Sequence, residues 1–370
     1  ELQKLTLWLT KINFRTIQND TFVKIAPGTG VWFIQCAEFE RWQFSAGQKT
    51  LWVTGIPGAG KTVLSSIAIH HLEEYRSSNP DIAVLFAYCR YSDHCSVVDI
   101  LLSFVRQLLE SYSFLHAPIK TFCLDHQRKG TRPSKNDLLI LLKKLLVSFR
   151  KVFTSIDALD EVADDTKYDI LQSVGSLPPN TSVLLTSRPV NCIAYLLPHA
   201  EHVSMENGTA QDIETFIMVK IEQTPRLRSI LKKNAALIKE VCDKIQEKSQ
   251  GMFLVAALHI ESLQRTTTLK NLRKSLELLP SGVEDSYRST WQRILSQSEE
   301  EAEQAKLAIS WLTYAKRTLT ITELVNALAV SQEDEAFDED DILDPDLLLS
   351  VCCGLITVEE QSSHVRLVRE

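Results

Sequence analysis

At 370 residues the chain exceeds the length at which a single core stops growing, and 44% hydrophobic with 24% charged residues describes a globular protein rather than a disordered or fibrous one. A net charge of −7, with 40 basic residues scattered among 47 acidic ones, argues against nucleic acid as a partner, because a polyanion is held by clustered Lys and Arg. The longest apolar run, Gly251 to Ile260, is half of what a transmembrane helix needs. The chain opens at Glu1 without a methionine or a charged-then-apolar leader, which predicts a fragment with no signal peptide. Eight cysteines, at 36, 89, 95, 123, 192, 242, 352 and 353, form no CxxC pair and sit mostly in apolar runs, as free thiols in a reducing cytoplasm would. Cys89, His94 and Cys95 match no zinc spacing and are set aside.

In chain order, residues 1–48 read as peripheral helices carrying Leu5, Leu7, Trp8 and Leu9, then Trp32, Phe33, Phe39 and Trp42 at near-helical spacing. Short β-type runs then alternate with amphipathic helices. Leu51 to Thr54, Ile82 to Cys89, Val152 to Ile156 and Val183 to Thr186 read as strands; Lys61 to Tyr75, Val97 to Tyr112 and Asp137 to Phe149 read as helices, with a further helix before the last strand. Such alternation predicts a parallel sheet covered by helices on both faces. Beyond about residue 205 only helices are expected, at 210–222, 228–248, 252–264 and 283–316. From 318 a helix over Thr322 to Ala329, an acidic loop, a helix over 345–353 and strands Leu355 to Val358 and Val365 to Val368 suggest a winged helix. The loop, Glu333 to Asp346, holds nine Asp or Glu but lacks the ligand spacing and glycine of a calcium loop. The expected organisation is a helical linker at 1–47, an α/β core at 48–204, a helical domain at 205–290 and a winged-helix domain at 291–370, truncated at its C-terminal end.

The strongest chemical signal is Gly55-Ile56-Pro57-Gly58-Ala59-Gly60-Lys61-Thr62, a full match to GxxxxGK[ST] between an apolar strand and a helix. Its glycines let successive N–H groups face phosphate, the helix N-terminus adds partial positive charge, Lys61 reaches the β- and γ-phosphates of ATP or GTP, and Thr62 ligates Mg²⁺. The apolar run before Asp157 makes that residue the expected metal partner at the end of a strand, and Asp160 and Glu161 follow where a carboxylate orients the attacking water. Asp160 reads equally well as a helix cap. Arg188, in Thr186-Ser187-Arg188-Pro189, falls at the carboxyl edge of the sheet as a candidate γ-phosphate sensor. Thr166 to Asp169 mimics a guanine-reading motif but follows Asp157 too closely and falls in a predicted helix.

Together GIPGAGKT (55–62), IDALDE (156–161), TSRP (186–189) and GMFLVA (251–256) resemble the NACHT branch of the STAND NTPases, especially large fungal sensor-like proteins with a nephrocystin-like NTPase domain. In that family a small residue follows the metal aspartate and an acidic pair follows it, as Ala158, Asp160 and Glu161 do here. The resemblance implies a slowly hydrolysing cytoplasmic signalling switch that closes on bound nucleotide between its NTPase and winged-helix domains, opens on exchange and self-associates. It also implies a flanking effector domain and C-terminal repeats in the full-length protein. Two departures stand out: Arg369 aligns where relatives carry a nucleotide-reaching histidine, and Phe253 where plant and apoptotic relatives carry a proline beside the base. Gly28-Thr29-Gly30 resembles the family's segment leading into the adenine pocket or, equally, a simple turn. A small-molecule kinase and a non-hydrolysing scaffold are the competing functions. Some 160 residues beyond the core disfavour the first, and intact Asp157 and Glu161 disfavour the second.

Overall fold

The computed structural model of the chain describes residues 2–90, 95–189, 191–231, 234–264, 266–330, 342–359 and 361–367. His94, Arg369 and most of the acidic loop predicted over Glu333 to Asp346 lie outside the described residues. The chain divides into two compact units, one of Glu1–Ile25, Gly30–Ile56 and Lys61–Asn207, the other of Ala26–Thr29, Pro57–Gly60 and Gly208–Glu370.

The first unit opens with helices α1 (Leu2–Leu9), α2 (Phe14–Val23), α3 (Val31–Ile34) and α4 (Ala37–Phe44). These are helical as expected but not peripheral. Phe33, Phe39 and Trp42 are fully buried, and the Trp42 indole packs 5.2 Å from the Phe153 ring while its Nε1 donates to Val183 O at 3.0 Å. Aromatic rings of that size are worth more inside the core than on a linker, and the indole N–H finds a backbone acceptor there.

The strands that follow are β1 (Thr50–Thr54), β2 (Ile82–Tyr88), β3 (Lys151–Asp157), β4 (Thr181–Ser187) and β5 (Glu201–Ser204). They form one parallel sheet in the order β2-β3-β4-β1-β5. Strands β2, β3 and β4 are buried along their whole length, the signature of a sheet covered on both faces. The crossovers carry α5 (Lys61–Ser77), α6 (Val97–Ser111), α7 (His116–Lys129), α8 (Lys135–Leu146), α9 (Asp164–Gly175) and α10 (Asn191–Leu196). Capping boxes Ser96/Asp99 and Ser134/Asp137 start α6 and α8, each satisfying backbone donors that the first turn would otherwise orphan. The guanine-motif mimic Thr166 to Asp169 lies within α9.

In the second unit α11 (Thr209–Gln223), α12 (Pro225–Leu231), α13 (Ala235–Ser249), α14 (Phe253–Gln264) and α15 (Leu269–Glu277) share one core. Ile213, Ile217 and Ile221 line one face of α11 at i, i+4 and i+8, against Val241 and Ile245 of α13 and Ile260 of α14. A second cluster joins α16 (Gly282–Leu295), α17 (Glu299–Tyr314), α18 (Ile321–Leu328), α19 (Pro345–Val351) and the strands β6 (Leu319–Thr320), β7 (Ile356–Val358) and β8 (His364–Leu367). α14 feeds both clusters, Ala256 and Ile260 into one and Leu254 and Leu258 into the other, so it is apolar nearly all round. Two long helices of the sequence reading are each a pair. Asn234 caps α13 and divides 228–248, and the Ser298/Glu301 capping box divides 283–316, because a side-chain oxygen that satisfies the first free N–H groups starts a new helix. The terminal hairpin gains a third strand, giving an antiparallel sheet in the order β6-β8-β7.

Candidate functional site

The phosphate-loop motif leaves β1 and enters α5. Gly58 and Gly60 hold φ values of +70° and +91°, a left-handed backbone that a side chain resists, so the loop curls back on itself only with glycine at these places. Gly55 is tied to the neighbouring strand end by its N–H to Ser187 O at 3.3 Å, and Ser187 Oγ accepts from Trp52 Nε1 at 2.8 Å. Lys61 Nζ folds over the loop and donates to Gly55 O at 2.9 Å and Ile56 O at 3.0 Å. Burial draws the Lys61 ammonium below its ordinary value, while Asp160 and Asp157 pull it back up. In the second unit, Phe253 N donates to Gly58 O at 2.8 Å, and the Phe253 ring packs edge-on 5.9 Å from Phe216, so this side chain belongs to the helical core.

Asp157 ends β3 and is 2% exposed. Thr62 Oγ1 donates to its Oδ2 at 2.7 Å, and Thr186 Oγ1 donates to its Oδ1 at 2.6 Å. The Thr186 hydroxyl in turn accepts from Ala158 N at 2.8 Å, which fixes the direction of its single proton. Burial raises the Asp157 carboxyl above the ordinary carboxylate range, opposed by these two hydroxyls and by the charges of Lys61 and Arg90. A buried carboxylate beside a threonine hydroxyl is the hard-oxygen pair that suits Mg²⁺, an ion that takes one or two protein oxygens and fills its octahedron with phosphate and water. No cluster of three or more His, Cys, Asp or Glu able to hold a metal occurs among the described residues, so an all-protein cage is not what this site offers.

After Asp157 the chain turns sharply. Ala158 adopts φ +55°, left-handed for a residue with a side chain, and a single 3₁₀ turn, Leu159–Glu161, follows with Glu161 N bonded to Ala158 O at 3.0 Å. Alanine bears the cost that its Cβ meets in this backbone, and a β-branched residue would bear a larger one. Asp160 does not cap the following helix. Its Oδ1 accepts from Arg188 N at 3.0 Å and its Oδ2 lies 3.2 Å from Arg188 Nε, with the carboxylate 8% exposed and the guanidinium 45%. Glu161, half-buried, stands at the end of the turn. The structure thus brings Lys61, Thr62, Asp157, Asp160 and Arg188 together along the carboxyl edge of the sheet.

Sequence reasoning passed over Thr186, whose hydroxyl orients Asp157. It also passed over Arg90, which follows β2 at the same edge. No local signal marks the first, since its role depends on β4 pairing with β3. Gly28 to Gly30 form a hydrogen-bonded turn in which Thr29 N and Oγ1 both donate to Ala26 O. No helix among the described residues is long and apolar enough to cross a membrane.

A family model described as Nephrocystin 3, N-terminal, matches residues 28–188, and one described as GPI inositol-deacylase, winged helix domain, matches residues 292–370. The vegetative incompatibility protein HET-E-1 of Podospora anserina is 25% identical over 360 residues, covering 90% of this chain and 25% of that protein. The chain therefore spans about a quarter of that relative's length. Among solved structures, the Aeropyrum pernix ORC2 protein in ADPNP–ADP complexes is similar with a TM-score of 0.43 and 14% identity, over 89% of this chain and 86% of that one. Drosophila ORC bound to DNA is similar with a TM-score of 0.38 and 15% identity, over 95% of this chain and 87% of that one. Likenesses that distant carry no argument about ligand or partner. The nephrocystin-type match across the phosphate loop and the Asp157 strand, the winged-helix match behind it and the similarity to HET-E-1 support a P-loop NTPase of the NACHT/STAND type.

Proposed function

We propose that the chain is the nucleotide-operated switch of a larger signalling protein, binding Mg²⁺ with ATP, hydrolysing it slowly and converting nucleotide state into conformational change and self-association. The observation that carries this reading is the 2.7 Å hydrogen bond from Thr62 Oγ1 to Asp157 Oδ2, which joins the loop that holds phosphate to the acid that holds metal. Thr62 and Asp157 would hold the Mg²⁺, which would supply positive charge to the phosphate oxygens. The N–H groups of Gly55 to Thr62 cradle the phosphates, and Lys61 exchanges its two loop carbonyls for phosphate oxygens. Glu161 accepts the proton of the attacking water, while Asp160 holds Arg188 at the edge where a terminal phosphate competes for the guanidinium.

ATP is the proposed nucleotide, with ADP as product and GTP as the alternative to be tested beside it. The name of HET-E-1 supports a role in incompatibility signalling of the kind seen in fungi, and the chain's quarter share of that relative supports further domains in the full-length protein, which the family resemblance makes an effector and repeats. The free thiols among the described residues, mostly buried, support a cytoplasmic setting. The Arg188–Asp160 ion pair favours one other reading, a scaffold that keeps nucleotide without turnover, because it engages both an acid and a cation of the site.

Glu161→Gln separates the readings. The amide keeps the shape but takes no proton, so the variant should bind Mg²⁺-ATP as the wild type does and lose single-turnover hydrolysis by roughly a hundredfold. A wild-type rate in the variant moves the role to Asp160, and binding without turnover in the wild type itself leaves the scaffold.

A further inference from the structure

The carboxyl edge of the sheet carries a second arginine. β2 pairs with β3 in the register Tyr88 to Asp157, and the ladder runs one residue further, with Cys89 N donating to Asp157 O at 3.0 Å. In parallel strands, residues opposite one another share a face and alternate residues return to it. Tyr88 and Asp157 therefore share a face, and the half-buried Arg90 follows two residues after Tyr88 at the same edge of the sheet. The charge of Arg90 is felt by both Asp157 and Tyr88.

Strand order then sets what Arg90 can reach. The phosphate loop follows β1, β4 lies between β1 and β3, and β2 lies beyond β3. A phosphate chain that starts at the loop and ends over Asp157 has its last group nearest the end of β2. Arg188, at the end of β4, reaches that group only in competition with Asp160, which engages both its backbone and its guanidinium. A triphosphate brings charge that Lys61 alone does not balance, and a guanidinium matches the planar, two-point geometry of phosphate oxygens.

We infer that Arg90 is a phosphate-binding residue that contacts the terminal phosphate and makes the site distinguish nucleoside triphosphate from diphosphate. The inference rests on the proposed nucleotide site and adds to it a specificity residue on the strand opposite the loop. Lys61 and the loop N–H groups serve both nucleotides, whereas Arg90 serves only the longer one.

The test measures affinity for a fluorescent non-hydrolysable ATP analogue and for fluorescent ADP, with Mg²⁺, in the wild type, Lys61→Ala, Arg90→Ala and Arg90→Lys. Arg90→Ala should weaken the triphosphate roughly tenfold to a hundredfold, the range for one charged hydrogen-bonding contact, and leave ADP within about twofold. Arg90→Lys, which keeps the charge but not the fork, should recover part of the loss. Retained ADP binding shows that the variant is folded, and if Arg90→Ala does not fold the comparison is made on Arg90→Lys. Equal losses for both nucleotides, or no loss for either, overturn the inference while leaving the nucleotide site standing. A wild type that binds neither nucleotide overturns the site and the inference together.

Discussion

Asp157 in the sheet unit and His259 in the helical unit are both sealed from water, at 2% and 1% exposure, yet burial acts on them in opposite senses. It raises the acid and lowers the base, since in each case the charged form is the one disfavoured. Two hydroxyls and the charges of Lys61 and Arg90 lean against the penalty at Asp157, and the carboxylate lies beside the loop where a ligand would meet it. His259 sits on α14 with only the Pro280 backbone carbonyl favouring its proton, while Lys248 and Arg293 oppose it, and its pKa falls to about 4. A buried ionisable group among polar partners at a sheet edge is poised for a ligand. The same burial within a helical core is a liability confined to acid.

The comparison breaks most sharply at the loop. Lys61→Ala should weaken nucleotide binding by roughly a hundredfold or more, since phosphate charge is left uncompensated in a partly desolvated loop. The fold should survive, because Lys61 gives up only two hydrogen bonds to loop carbonyls. Isothermal titration reads the loss and circular dichroism the fold; unchanged affinity in a folded variant would remove the loop from the site.

The next effect belongs to His259 and sharpens the other side. Its value near 4 lies below the ordinary 6.5, so as pH falls below 6.5 the unfolded chain takes up a proton that the folded chain refuses. Stability is therefore fully present above 6.5 and lost as pH falls toward about 4. At pH 5 the loss is about 2 kcal/mol. Urea denaturation at pH 7 and pH 5 should show it in the wild type and show a smaller difference in His259→Leu. An equal pH dependence in both would assign the acid sensitivity elsewhere.

The smallest expected effect tests close packing in the same unit. Gly354 holds φ +83°, and a methyl group there would lie 1.9 Å from Glu261 Oε2 on α14. The carboxylate can swing aside but the backbone cannot, so Gly354→Ala should cost about 1 kcal/mol, seen as a lower denaturation midpoint with an unchanged slope. Nucleotide affinity should be untouched. A stability equal to wild type would mean that the turn accepts a side chain.

What the sequence reveals follows from range. The phosphate loop and the Asp157 strand are local patterns, with glycine spacing and an apolar run ending in an acid, and both are legible before any folding is known. Thr186 as the partner that orients Asp157 is not, because their meeting depends on β3 lying beside β4, a pairing across some thirty residues. Arg90 escapes notice for the same reason. The buried role of Phe33, Phe39 and Trp42 is also non-local, since their spacing announces a helix but not that the sheet packs against it. α7 goes unread because it buries little, with only Ile119 and Cys123 inside and no apolar stripe to show a period. The break between α16 and α17 was legible, since Ser298 and Glu301 form a capping box, but the helical period runs through it and hides the stop.

The position of β4 has a geometric consequence. With β4 between them, β1 and β3 stand two strand spacings apart, roughly 9–10 Å. That strand is a gauge block: it sets the distance between the strand that leads into the phosphate-loop motif and the strand that ends in Asp157, while contributing neither motif. Because backbone hydrogen bonds set that spacing, side chains on β4 leave the gap unchanged and act only on the layers above and below the sheet. Relatives that keep the strand order should therefore keep the same reach between the two motifs however their β4 side chains vary, because the spacer is made of backbone.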